Sequence, residues 1–179
     1  MTRMQRRTLW ISIVGVLAVL AYAAFAAVQI LVLNPLAAAP GRTLDEIRFA
    51  MSEAGESLMP GQALLVLGIG VALAVVLAVV VVRTGAHPLV PVMGFLALLM
   101  LGAIGYFAAS FGAGMGLADA FGISGGDYSP WAVPLYVVSV LSGVVLVGVG
   151  AVVSARRSGA AAPDCGRPPP SGPAGVGSQ

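Results

Sequence analysis

Between Gly61 and Val82 the chain reads GQALLVLGIGVALAVVLAVVVV, 22 residues without one charged side chain. At about 1.5 Å of rise per residue, a helix of that length crosses the roughly 30 Å hydrocarbon core of a bilayer. Three further runs, Leu9–Leu33, Leu89–Ala113 and Trp131–Val153, hold 25, 25 and 23 residues and are equally free of charge. Helix is the expected form for all four, because an open strand leaves its backbone donors and acceptors unsatisfied in lipid.

The whole chain agrees with these runs. Of its 179 residues 59% are hydrophobic and 9% charged, with a mean hydropathy of +0.99. A soluble domain carries about 25% charged residues, so a water-soluble globule is excluded. The expected fold class is an all-α integral membrane protein, an antiparallel bundle of four transmembrane helices with a short extracytoplasmic amphipathic helix. Its organisation reads as a basic N-terminus (1–8), spans at 9–33, 61–82, 89–113 and 131–153, outer loops at 34–60 and 114–130, a cytoplasmic loop at 83–88 and a disordered cytoplasmic tail at 154–179.

Orientation follows from the arginines, which supply all nine basic residues. Arg3, Arg6, Arg7, Arg83, Arg156, Arg157 and Arg167 flank the spans on one side, and only Arg42 and Arg48 lie on the other, among six carboxylates. This positive-inside bias places both termini in the cytoplasm. The lack of lysine and the wealth of Ala, Gly and Val read as codon bias of a GC-rich bacterium, so the expected location is a bacterial cytoplasmic membrane. The first apolar run exceeds the 7–15 residues of a signal-peptide core and is expected to stay as an anchor. The arginines flank apolar runs instead of sharing a polar face, so no nucleic-acid partner is expected.

The first outer loop carries a helix signal near 44–54. Thr43-Leu44-Asp45-Glu46 has the pattern of a capping box, in which the Thr hydroxyl and the Glu carboxylate each satisfy an end amide. Leu44, Ile47, Met51, Ala54 and Leu58 then recur at spacings of three and four and form one apolar face. Gly55 is placed to end the helix in a left-handed conformation.

Catalytic chemistry is poorly supplied. The chain has one cysteine and one histidine, Cys165 and His87, which excludes disulfides and His-pair metal motifs. None of the spans holds an ionisable acid or base, which ion-coupled transport ordinarily requires. No enzyme activity, cofactor or metal is therefore expected, and Asp119 and Asp127 read as solvated loop acids.

Small and uncharged polar residues carry what remains. Gly102, Gly105, Ala109, Gly112 and Gly116 share a face of the third span, and Gly112 with Gly116 satisfies GxxxG. On the first span Gly15, Ala18, Tyr22, Phe25 and Gln29 share a face; on the fourth, Ser139, Gly143 and Gly150 do. Such stripes let helix backbones approach closely in lipid. Depth counting places Tyr22 level with Ser139 and Gln29 level with Ser110, so Tyr22 should face the fourth span and Gln29 the third. Bulky Phe95, Leu98 and Leu99 in the inner half of the third span predict a splay towards the cytoplasm. The expected function is a non-enzymatic accessory or scaffolding subunit acting through helix packing. Its partners are the lipid bilayer and another membrane subunit or a second copy. The alternative is a small passive pore, exporter or transport subunit with an uncharged path.

Overall fold

The computed structural model describes residues 3–160, with side chains through Arg156. The described residues contain helices and no strand. They are α1 (Arg3–Val28), a π-helical turn (Gln29–Leu33), α2 (Asn34–Ala38), α3 (Leu44–Glu53), α4 (Pro60–Thr84), α5 (Leu89–Phe121), a 3-10 turn (Pro130–Ala132) and α6 (Val133–Ala160). Four continuous helical stretches, Arg3–Ala38, Pro60–Thr84, Leu89–Phe121 and Pro130–Arg156, are long and apolar enough to cross a membrane. Their surface apolar side chains are mostly exposed, as suits helices whose outer solvent is lipid.

All four stretches run past the limits the sequence suggested, Pro60–Thr84 by no more than two residues at either end. The first continues through Asn34-Pro35 because the π turn lets the Asn34 amide bond back to the Gln29 carbonyl, five residues earlier. Pro35 lacks an amide proton and is tolerated there in the first turn of α2. α5 continues to Phe121 across Gly112, Gly114 and Gly116, where a loop from 114 was expected. Each glycine costs a helix about 1 kcal/mol, but here tertiary packing offsets the cost, since Gly116 is buried against the chain leading into α4. Gly122 ends the helix with φ +63°. α6 likewise keeps helical backbone to Ala160, into the segment expected to be disordered; residues 161–179, with Cys165 and Pro168-Pro169-Pro170, lie outside the described residues.

α5 is the central element, packing on α1, α4 and α6, while α1 also packs along α4. Phe95 of α5 seats on Gly15 of α1, and higher up Tyr22 of α1 seats on Gly102 of α5. Gly94 meets Leu77 of α4, whereas Gly112 and Gly116 meet Met59 and Ser57 at the other end of that helix. Two apolar cores result. A small one joins Val19, Ala74 and Phe95. A larger one joins Ile30, Ile47, Met51, Leu58, Tyr106 and Leu117, tying α3 to the bundle.

α3 forms as its sequence dictates. The Thr43 amide donates to Glu46 Oε2 at 2.7 Å, and the Glu46 amide donates to Thr43 Oγ1 at 3.3 Å. Ile47, Met51 and Leu58 are buried and Leu44 is half-buried. Ala54 departs from the expected face: it is the C-cap residue and is exposed. Gly55, at φ +77°, ends the turn. The Thr43 amide and then its hydroxyl hold the Glu46 carboxyl below the usual carboxylate range. A depressed carboxyl stabilises above its unfolded pKa and loses that contribution as pH falls through the folded value. Acidification below the ordinary glutamate pKa of 4.5 should therefore fray the start of α3. Amide hydrogen exchange at Asp45–Ile47 checks this: exchange should rise there in acid beyond the intrinsic pH effect, and Glu46→Gln should remove most of the added pH dependence.

Candidate functional site

Polar side chains converge where the α3 ends of α1, α5 and α6 meet. The chain's one asparagine follows the π turn, which leaves Asn34 buried and facing the loop between α5 and α6. Its Oδ1 accepts from the amide of Tyr128 at 2.7 Å and from that of Ser129 at 3.3 Å. Its Nδ2 donates to the Gly126 carbonyl at 3.3 Å. One side chain thus ties down the backbone on both sides of Asp127.

The Asp127 carboxylate is held in turn by two phenols. Tyr106 of α5 donates to Oδ1 at 2.5 Å, and Tyr136 of α6 donates to Oδ2 at 3.1 Å. The two rings meet edge to face with centroids 5.6 Å apart, an arrangement in which the positive rim of one ring meets the negative face of the other. Tyr106 is fully buried, while Asp127 and Tyr136 are exposed. Asp127 has no ion-pair partner among the described residues, where the ion pair formed is Arg48–Asp45 at 3.7 Å. Gln29, fully buried, donates from Nε2 to the Ser129 carbonyl at 3.5 Å, and its Oε1 has no hydrogen-bond partner among the described residues.

Beside Asp127 lies an open cavity of about 260 Å³, walled by Asn34, Asp127 and Tyr136 on one side and by Phe107, Phe111 and Met115 on the other. Among the described residues no cluster of three His, Cys, Asp or Glu side chains is placed to hold a metal. A lone carboxylate fixed by phenols can accept hydrogen bonds and attract positive charge.

The structure brings together some of the residues singled out from sequence and separates others. Tyr22 Oη lies 3.2 Å from Ser139 Oγ, joining α1 to α6. Gln29 meets the third span, as expected, through the Tyr106 hydroxyl and also reaches the loop before α6; Ser110 does not pair with it but bonds back to the Phe107 carbonyl at 3.2 Å, a backbone acceptor one turn away. On α5, Gly102, Gly112 and Gly116 each have a neighbour within 4 Å of where a Cβ would stand, and Ala109 is buried. Gly105 has none and is not a packing position. A Cβ on Gly143 would stand 3.2 Å from Met100 Cγ, and Gly150 has no such neighbour. In the inner helix halves Phe95 is buried against Gly15 and fills the space between α1 and α5.

These environments separate two substitutions of the same chemistry. A Cβ on Gly116 would stand 2.9 Å from the Ser57 carbonyl oxygen and 3.1 Å from Met51 Cε. Gly116→Ala should cost about 1–3 kcal/mol by overpacking. Gly105→Ala meets open space and relieves the helix cost of glycine, so it should leave stability unchanged or raise it by up to about 1 kcal/mol. Thermal unfolding of both variants in one detergent checks the pair; equal midpoints would show that the α5 glycines share one environment.

Sequence reasoning missed Asn34, Tyr106 and Tyr136 and treated Asp127 as a free loop acid. The available signals were an asparagine closing an apolar run, followed by proline, and tyrosines near the same end of two other spans. No family model matches the chain, and no curated protein or solved structure is found similar to it. The class defined by its own features is an all-helical protein with four helices long and apolar enough to be membrane spans.

Proposed function

We propose that the chain is an antiparallel four-helix component of the bacterial cytoplasmic membrane, with both termini cytoplasmic and α3 outside, acting without catalysis as an accessory or scaffolding subunit. Gly94 with Leu77 and Gly112 with Met59 run in opposite order along α5 and α4, and Gly15 with Phe95 and Tyr22 with Gly102 run in the same order along α1 and α5, which supports alternating helix directions. The arginine distribution supports the orientation. Thr8 Oγ1 donates to the Ala86 carbonyl at 3.3 Å, which fits an N-terminus on the same side as the α4–α5 connection.

The plug formed by Phe95 carries the choice between scaffold and pore. The polar groups Gln29, Tyr22, Ser139 and Ser142 occupy the part of the interior nearer α3, and Phe95, Val19 and Ala74 close the space beyond them. A single copy filled this way favours presentation of surfaces over conduction. α6 is the least covered of the four spans, and its valines Val140, Val144 and Val147 are open to lipid or to a neighbouring helix.

Two measurements on the full chain test the reading. Reconstituted at about one chain per vesicle, the pure protein should pass ions and small neutral solutes no faster than empty vesicles. A photoreactive residue replacing Val147 should give one discrete protein adduct in intact cells. Flux that scales with protein content would replace the scaffold by a pore. Absence of protein adducts from Val147 and from Leu65 on α4 would remove the subunit reading.

A further inference from the structure

We propose that the cavity beside Asp127 binds an alkylammonium group at the membrane surface, with Asp127 as its counter-ion and Phe107, Phe111 and Tyr136 as its aromatic wall. Three observations meet at this place. The first is charge. Asp127 uses one acceptor site of each carboxylate oxygen on Tyr106 and Tyr136, and a carboxylate has about four such sites. The rest are unspent, and no arginine lies within ion-pairing distance among the described residues.

The second is the wall. Phe107 and Phe111 are 60% and 57% exposed, with ring centroids 6.0 Å apart, and both line the cavity together with Tyr136. A cation within about 6 Å of an aromatic centroid is attracted by the ring quadrupole, more strongly where water is thinned out. An apolar wall facing one anionic group suits a cation with carbon substituents. A hard metal ion fits poorly, since it needs six or more oxygens and the wall supplies rings and the Met115 thioether. Ser110 also lines the cavity; its hydroxyl proton is spent on the Phe107 carbonyl, leaving the oxygen as an acceptor for a primary ammonium N–H.

The third is depth and size. Asn34 is 25 residues beyond Leu9 in one nearly continuous helix, about 37 Å along its axis at 1.5 Å per residue. That exceeds the roughly 30 Å of hydrocarbon and sets the cavity at headgroup level. Its volume of about 260 Å³ lies just below the roughly 300 Å³ where whole-ligand pockets begin. It suits a headgroup or a small amine. Asn34 is the positioning residue, because it fixes the backbone on both sides of Asp127.

The ammonium has two possible sources, a phosphatidylethanolamine headgroup or a free small amine, and the test separates them. The full chain is purified with mixed phosphatidylethanolamine and phosphatidylglycerol, and retained lipid is counted by native mass spectrometry. In parallel, its thermal midpoint in phosphatidylglycerol nanodiscs is followed with ethylammonium chloride against equal sodium chloride. Asp127→Asn should weaken the response about tenfold, as expected for loss of a charge-assisted contact, while Asp119→Asn should leave it intact. Phe107→Leu combined with Phe111→Leu removes two exposed rings without touching the loop, so the test survives if the Asp127 variant folds poorly. Selective retention of phosphatidylethanolamine without a free-amine shift assigns the site to lipid. A shift without lipid preference assigns it to a soluble amine. Neither response, or a response indifferent to both sets of substitutions, overturns the proposal.

Discussion

Gly15→Ala should destabilise the protein by about 3 kcal/mol, the upper end of ordinary overpacking costs. A Cβ at this position would stand on the ring of Phe95, which is buried at 4% exposure and cannot swing outward without opening the smaller core. Gly148→Ala is the matched control on an open helix face, since nothing lies within 4 Å of its Cβ position among the described residues. Combining Gly15→Ala with Phe95→Leu should recover part of the loss, because residues in contact couple by about 0.5–3 kcal/mol. Thermal unfolding of the four proteins in one detergent measures the cycle. Strict additivity would mean that α1 and α5 do not meet here.

Asn34→Ala should cost a similar amount by a different route. It strips the amides of Tyr128 and Ser129 and the carbonyl of Gly126 of their side-chain partner, and an unsatisfied buried polar group costs about 1–3 kcal/mol. Ser129 is buried, whereas Tyr128 and Gly126 are exposed enough for water to replace part of their loss, so about 2–3 kcal/mol in total is expected. Asn34→Asp keeps an acceptor for both amides but sets an oxygen against the Gly126 carbonyl and buries a second carboxylate beside Asp127, so it should hold the loop amides near neutral pH without recovering the parent stability. Hydrogen exchange at Tyr128 and Ser129 locates the effect: protection should vanish in the alanine variant and persist in the aspartate one. Unchanged protection in both would show that the loop is held by other contacts.

The contrast between these sites explains what could be read from sequence. The four spans were legible because a charge-free run of 22 or more residues leaves few other solutions. The capping box of α3 was legible because Thr43 and Glu46 are three residues apart and their reciprocal bonds are local. Tyr22 could be paired with Ser139 because helical rise sets the depth of each along its own span. The Asn34 clamp was not legible, since its partners lie more than 90 residues away and its aim depends on the π turn, for which the run Gln29–Leu33 has no composition cue. The Gly15–Phe95 contact escaped for a related reason. Both residues were noted, but a bulky side chain on a helix reads as a barrier until the hole opposite it is known. Gly105 shows the converse, since a glycine at the right spacing packs on nothing when the space opposite it is open.

The proposed topology is a four-span protein whose α3 end and α4–α5 connection lie on opposite sides of the membrane. Single cysteines introduced by Glu53→Cys and Arg83→Cys, in a chain also carrying Cys165→Ser, test it in intact cells with a membrane-impermeant maleimide. Both positions are exposed, so burial does not confound the comparison. The thiol at position 53 should label in sealed cells and the thiol at position 83 only after lysis. Equal labelling of both in sealed cells, or the reverse order, would contradict it.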